Sequence, residues 1–405
     1  MNRLLATVAA AAVLGLASGA WAQETIKIGV SGPFTGGSSS MGVSMRDGVR
    51  LAADEINAAG GVNGKKIELV ERDEQAKNEV GVQVAQELIN KEKVIATVGY
   101  INTGVALASQ RFYQEAQIPV LNNVATGTQI TKQFEPPENK YNYVFRFSAN
   151  DTIQSAMIVD EAIGRSKFTK PAILADSTNY GQLGRADLEA ALAKKGVKPV
   201  AVEKFNIGDT DMTPQLLRAK EGGADVVLTY GIGPELAQIA NGMAKLGWKV
   251  PLVGSWTLSM ASFIDTAGPN GDGARMPQTF IEDATTPKRK AFIDAYHKKF
   301  GGDKMPSPVS AAQGYDSLYV LKAALEQAKS TEGPKIREAL ENLNTKVEGV
   351  VQTYDKPFNA KDHDAVSYNV PVFGLVKGGR VVYANEDDKK NPVRSKSGTG
   401  GVAPQ

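Results

Sequence analysis

The chain has 405 residues, 42% of them hydrophobic and 22% charged, and a formal net charge of +2. This length predicts two domains or lobes, not one, and basic and acidic residues are interspersed, so no electrostatic field points to nucleic acid or to an anionic membrane. Cysteine is absent, which leaves stability to the size of the core, and the expected partner is a small molecule.

Residues 1–22 read as a signal peptide. Arg3 supplies the positive start, Leu4 to Ala17 is apolar and small apart from Thr7, and Ala20-Trp21-Ala22 places the cleavage site after Ala22. The apolar run is shorter than the ~20 residues that a bilayer-spanning helix requires, and no later stretch is continuously apolar enough to span one. A soluble, exported, periplasmic protein is expected.

Strand and helix signals then alternate. "TIKIGV" (25–30) is a short β-branched run, and Val49, Ala53 and Ile56 mark one face of a helix that ends near Gly60-Gly61. "KIELVE" (66–71) is a second strand, followed by Val80, Val84 and Leu88 at helical spacing; "VIATVG" (94–99) is a third, followed by Val105, Ala108 and Phe112. "IPVLNNVATGTQ" (118–129) is a further strand running into a polar loop. Such alternation predicts an α/β fold with a doubly wound parallel sheet.

The grammar restarts with "PAILAD" (171–176), "VAVEKF" (200–205), "ADVVLTY" (224–230) and "VPLVGS" (250–255), separated by helices carrying Leu192, Leu217 and the set Leu236, Ile239 and Met243. Two similar lobes follow. Helices around Phe292/Tyr296, Leu318/Tyr319 and Ile336/Leu340 are expected to return to the first lobe. "VPVFGLVKGGRVVYA" (370–384) reads as a hairpin turning at Gly378-Gly379, and the polar, Gly-rich tail 387–405 as disordered.

In open parallel sheets ligands sit at the carboxyl ends of the strands, where helix N-termini present unpaired N–H groups. Strand 94–98 ends at Gly99, and Tyr100, Ile101, Asn102 and Thr103 lead into a helix, so Thr103 offers a hydroxyl beside free amides suited to a carboxylate. Equally, Asn102 or Thr103 could do no more than cap its own helix. The neighbouring strand end brings Val124 and Thr126 to the same edge.

"IKIGVSGPFTG", "DGVRLAADEINAAGGVNGKKIELVERD", "NYGQLG" and "ADVVLTYGIGPE", in that order, resemble the extracytoplasmic solute-binding proteins of branched-chain amino acid ABC importers, over roughly residues 24 to 385. The resemblance implies a leucine-binding-type clamp, the type I periplasmic binding fold, crossed three times by the chain near 147–150, 278–284 and 353–358. The first lobe would then be 23–148 plus 282–352 and the second 149–281 plus 353–386. It implies a monomer that captures an amino acid or related carboxylate and delivers it to a membrane permease. Carried over by position, the ligand-binding set is Thr103 with Asn102 and Tyr100, Val124 through its backbone, Thr126, and Tyr180 from the second lobe. Where amino-acid binders commonly have an acidic residue to pair with the ammonium, this chain has Trp256; Ile232 stands at a further aromatic position and Met41 near "SSSMG". The pocket expected from Met41, Ile232 and Trp256 is apolar and suits an aromatic or aliphatic carboxylate.

Alternative classes are a ligand-sensing domain serving a chemoreceptor or kinase, and a secreted hydrolase. No G-x-S-x-G, G-x-x-x-x-G-K-[ST] or H-E-x-x-H motif is present, and "GIGPEL" (231–236) has Leu236 where a dinucleotide fingerprint needs glycine. Asp362, His363 and Asp364 are adjacent and read as a solvated turn in preference to a metal site. No enzyme activity, cofactor or metal is expected.

Overall fold

The computed structural model describes residues 25–391 and 394–397; the signal segment 1–22 lies outside them, as do 392–393 and 398–405 of the tail. The first half of the chain runs β1 (Thr25–Gly32), α1 (Ser39–Ala58), β2 (Lys66–Asp73), α2 (Asn78–Asn90), β3 (Ala96–Gly99), α3 (Thr103–Ala116), β4 (Val120–Asn122) and β5 (Val144–Arg146). These strands form one parallel sheet in the order β2-β1-β3-β4-β5. Every residue of β3, β4 and β5 is buried, as continuous apolar runs between two helical layers require.

The chain continues through α4 (Asp151–Val159), β6 (Pro171–Asp176), α5 (Asn179–Lys194), β7 (Ala201–Phe205), α6 (Thr213–Glu221), β8 (Val226–Tyr230), α7 (Gly233–Lys245), β9 (Leu252–Gly254), α8 (Ala261–Ala267) and β10 (Arg275–Gln278). Next come α9 (Pro287–Phe300), α10 (Pro308–Ala328), α11 (Gly333–Glu341), the short pair β11 (Val347–Glu348) and β12 (Thr353–Tyr354), the hairpin β13 (Val372–Lys377) and β14 (Arg380–Tyr383), and α12 (Glu386–Lys390). The second sheet has the order β14-β13-β10-β9-β8-β6-β7. Its strands β6 to β10 are parallel, and β13 joins β10 antiparallel.

Helices α9 and α10 pack on α1 beside the first sheet. Gly48 and Gly314 permit the close crossing of α1 and α10: a Cβ on Gly48 would stand 2.0 Å from the Ala311 carbonyl oxygen, and one on Gly314 2.4 Å from that of Met45. In the hairpin Lys377 pairs with Arg380 across Gly378 and Gly379, whose φ values of 57° and 77° are those of a two-residue primed turn.

Three elements differ from the sequence reading. The inward residue of α6 is Leu216, with Leu217 partly exposed; adjacent leucines leave the helical phase undetermined. Residues 386–390, expected within or beside the disordered tail, form α12, with three acidic residues in its first turn and two lysines in its last, a distribution that complements the helix dipole. The segment Asp362-His363-Asp364 is not a solvated turn. His363 is buried, stacks on Phe145 at 4.1 Å and contacts the Val144 carbonyl through Nδ1 at 2.8 Å.

Asp364 receives a bidentate pair from the fully buried Arg146, at 2.8 Å from Nε and 2.7 Å from Nη2. Arg146 Nη1 also donates to the carbonyls of Thr126 at 3.1 Å and Gly127 at 2.7 Å. Removing one partner of a buried pair leaves an uncompensated charge. Arg146→Met is therefore expected to destabilise the protein by about 3–5 kcal/mol, read as a lower denaturation midpoint; an unchanged midpoint would show that the pair braces nothing.

Candidate functional site

β3 ends at Gly99, whose φ of 149° and close approach to Ser31 (a Cβ would lie 2.1 Å from the Ser31 carbonyl oxygen) admit only glycine. Tyr100 follows with φ 46°. Its carbonyl accepts from the amides of Val124 at 3.3 Å and Ala125 at 2.9 Å, while the Asn123 amide donates to the Gly99 carbonyl at 2.7 Å. The two neighbouring strand-end turns are thus stitched together through backbone.

Tyr100, expected among the ligand-contacting residues, turns its ring into the first lobe's core, edge-on to Tyr113 with the hydroxyls 3.4 Å apart. Burial raises its phenol well above the ordinary range. What Tyr100 offers the turn is its backbone.

Asn102 sits at the N-cap of α3 with an extended backbone but makes no side-chain capping bond, so the capping role open to it in the sequence is not taken. Its Nδ2 donates to Ser38 Oγ at 3.1 Å, tying the start of α3 to the start of α1, and its Oδ1 is buried without a partner. Thr103 is fully buried, and its Oγ1 accepts from the Gly127 amide at 3.2 Å. A hydroxyl that accepts there keeps its own hydrogen to donate. Thr126 is equally buried, with Oγ1 unpartnered. Val124 is buried between these turns.

From the second sheet, Thr178 caps α5 and sets Tyr180 in its first turn. The Tyr180 hydroxyl donates to Ser255 Oγ at 2.7 Å, Ser255 Oγ lies 2.8 Å from Thr257 Oγ1, and Thr257 donates to the Gly231 carbonyl at 2.6 Å. The Tyr180 ring lies 5.0 Å from that of Tyr230. Trp256 opens a 3₁₀ turn after β9; its amide donates to Gln154 Oε1 at 3.1 Å, and Gln154 Nε2 in turn donates to the Ala149 carbonyl at 2.9 Å. Ile232 is the N-cap residue of α7 and Met41 lies in the first turns of α1. Met41, Val124, Tyr180, Ile232 and Trp256 belong to one contiguous apolar cluster that draws on both sheets.

At the strand ends the helix starts of the two sheets approach each other. A Cβ on Gly104, second residue of α3, would lie 2.8 Å from Asn179 Oδ1 at the start of α5, and one on Gly37 3.7 Å from Pro234 at the start of α7. Thr128 donates to Asp187 Oδ2 on α5 at 3.1 Å. Helix starts from opposite sheets therefore face each other across the strand ends, where their N–H groups favour negative charge.

Asp151, Tyr230 and Gln154 were not singled out from the sequence. Asp151 begins α4 beside the Asn150 cap, and its amide donates to the Thr126 carbonyl at 2.9 Å. Its Oδ1 accepts from the Tyr230 hydroxyl at 2.7 Å, whereas Oδ2 is buried without a partner. Burial pushes its carboxyl up to about 7, against the lowering influence of the Tyr230 hydrogen bond and of the nearby Thr126 hydroxyl, which is close but not aligned for a bond of its own. An Asp after an Asn at a helix start reads in sequence as a redundant cap; the one signal was its place just after a predicted lobe crossing.

The periplasmic binding protein family matches residues 25–380. An amino acid binding protein of Pseudomonas aeruginosa is 30% identical over 363 residues, 89% of this chain and 94% of its own. The branched-chain amino acid transporter substrate-binding protein LivJ of Streptococcus pneumoniae, solved with isoleucine, superposes with a TM-score of 0.77 at 26% identity, covering 88% of this chain and 98% of its own. A solute-binding protein of an ABC transporter from Rhodopseudomonas palustris BisB5, solved with 3,4-dihydroxybenzoic acid, has the same fold, with a TM-score of 0.76 at 22% identity over 94% of this chain and 99% of its own. With residues 25–380 matched, the chain belongs to the periplasmic binding protein family.

Proposed function

We propose that this chain is the periplasmic binding component of an ABC importer, exported by the segment 1–22 and working by binding, not catalysis. Its lobes are 23–148 plus 282–352 and 149–281 plus 353–386, and they close over a small carboxylate. The observation that carries the reading is the pair of stitched strand-end turns in which Thr103 accepts from Gly127 and keeps its hydrogen to donate, set opposite the ring of Tyr180, which Ser255 holds in place.

The carboxylate is held by the Thr103 hydroxyl, the free amides of the first turn of α3, and Thr126, with Asn102 and the backbone of Tyr100 and Val124 framing the turn. Tyr180, Ile232, Trp256 and Met41 cover the apolar remainder. The fold houses isoleucine in one relative and 3,4-dihydroxybenzoic acid in another, so the choice between an amino acid and a plain acid rests on the site. Trp256 favours the plain acid: an indole face attracts a cation by only about 0.5–2 kcal/mol and cannot neutralise an ammonium as a carboxylate does.

The open form takes the ligand on the first lobe, and closure adds the second lobe's contacts; only those extra contacts stabilise the closed state. A membrane permease then reads the closed shape.

Thr103→Val is expected to weaken a carboxylate ligand about tenfold or more by titration calorimetry, the loss of one charge-assisted bond; unchanged affinity would move the anion site elsewhere. In a thermal-shift panel at neutral pH, acids lacking an amino group, such as benzoate, should raise the melting temperature more than leucine does, because a ligand selective for the folded form stabilises it in proportion to its affinity. The reverse order would refute the part given to Trp256. Gly37→Leu should weaken binding while leaving the ligand-free melting temperature within a few degrees, since the atom that an added Cβ meets there belongs to Pro234, across the gap between the lobes; equal affinity would show that closure brings no approach there.

A further inference from the structure

Among the described residues around the two strand-end turns, Asp151 combines complete burial with an unused carboxylate oxygen. Thr126, placed by the proposed function against the ligand's head, lies within reach of this carboxyl, yet its Oγ1 and Asp151 Oδ2 are both left without a hydrogen-bond partner. The backbone joins the same two residues through the bond from the Asp151 amide to the Thr126 carbonyl. The Thr126 hydroxyl carries its own hydrogen and can turn it to the ionised carboxyl, which its nearness favours, whereas a ligand that claims this hydrogen leaves Oδ2 buried and unserved unless a proton or another donor reaches it.

We infer that Asp151 is the charge selector of the cleft: in its neutral form it admits a plain carboxylate beside Thr126, and in its ionised form it receives the ammonium of a zwitterion. The inference rests on the ligand site proposed above and adds to it the rule by which that site distinguishes its two ligand classes. Trp256 makes the rule necessary. It brings no negative charge to the second lobe's side of the cleft, leaving Asp151 to set the charge facing the ligand.

The surroundings of Asp151 are consistent with a group that changes charge. Tyr230 on β8 donates to it, and the Tyr180 phenol on α5 lies within its field. Asp187, also on α5, adds negative charge, and Arg146 on β5 adds positive charge, although Arg146 is already engaged by Asp364. Burial is the largest influence and moves the carboxyl to about 7, so both forms are populated near neutral pH.

The sign follows by linkage. A carboxylate ligand binds the protonated form and raises the carboxyl's pKa further, so its affinity is level below pH about 7 and falls as pH rises above it, by at most tenfold per unit for one proton. A zwitterion binds the ionised form and lowers the pKa, so its affinity is level above about 7 and falls below it.

The test is the dissociation constant of benzoate and of leucine by calorimetry at intervals between pH 5.5 and 8.5, for the wild type, Asp151→Asn and Tyr230→Phe. Opposite slopes in the wild type and level profiles for both ligands in Asp151→Asn are expected. If Asp151→Asn does not fold, Tyr230→Phe carries the test: loss of a donor to the ionised form should move the break in both profiles to higher pH. Parallel slopes for the two ligands, a slope retained in Asp151→Asn, or an unmoved break in Tyr230→Phe would overturn the inference while leaving the carboxylate site standing. Absence of binding by either ligand at every pH would remove the carboxylate site itself, and the selector with it.

Discussion

The ion pair between Arg146 and Asp364 is the constraint on which the rest of the site depends. Its partners are 218 residues apart in the chain, and the guanidinium spends its remaining donor capacity on the Thr126 and Gly127 carbonyls and on Thr131. Gly127 in turn is the residue whose amide reaches Thr103. Burial alone would raise the Asp364 carboxyl, but the Arg146 charge and hydrogen bonds from Arg146, Asn150 and Thr131 hold it below the ordinary carboxylate range. A carboxyl depressed in the folded state contributes stability that is complete above its unfolded pKa, about 3.9, and is lost as pH falls through the folded value. The brace is therefore intact near neutrality, and a change of charge on Asp151 there would act on the proposed ligand site without loosening its frame.

The proposed anion site so framed contains no cationic side chain: residues 99–104 and 122–128 have neither lysine nor arginine, and Arg146 is already paired. A carboxylate would have to be held by hydroxyls, amides and the dipole at the start of α3. Bonds to a charged group contribute about 1.5–3 kcal/mol each, and burying one apolar ligand group about 1.5–3 kcal/mol. Association itself costs about 4–15 kcal/mol, so no single one of these suffices for micromolar binding, which needs about 8 kcal/mol net. Both lobes have to contribute, and that is why an extra formal charge beside the site, of either sign, has leverage over which ligand is held.

Much of the fold was legible because it is written in short periods. The apolar runs fell on β1, β2, β3, β6, β7, β8 and β9, and Gly378-Gly379 marked the hairpin. β10 was not legible: its sequence Arg275-Met276-Pro277-Gln278 has a proline and no β-branched residue, and only the neighbours β9 and β13 make it a strand. At the site, Thr103 and Thr126 could be placed because strand ends precede helices. The ring of Tyr100 could not, since its direction is set by a backbone φ of 46°. The pairing of Asp364 with Arg146 and of Tyr230 with Asp151 leaves no local trace, because each partner lies on a different element and is chosen by burial, not by spacing.

A clamp that reports ligand occupancy must not close firmly by itself. The direct polar link between α5 and the first-lobe loop is the bond from Thr128 to Asp187, and Thr128 Oγ1 is shared with Thr152 at 3.0 Å, so Thr128 can satisfy its hydroxyl without Asp187. One such bond contributes about 0.5–1.5 kcal/mol net. A ligand must favour one state about 10⁴-fold, roughly 5.5 kcal/mol, to carry an equilibrium from one part in a hundred to ninety-nine. This bond across the strand ends is several-fold smaller than that. On the site proposed here the ligand's own contacts with Tyr180 and Trp256 would supply the rest, and a molecule that fills the first-lobe turns but fails to reach those rings would bind without closing the lobes.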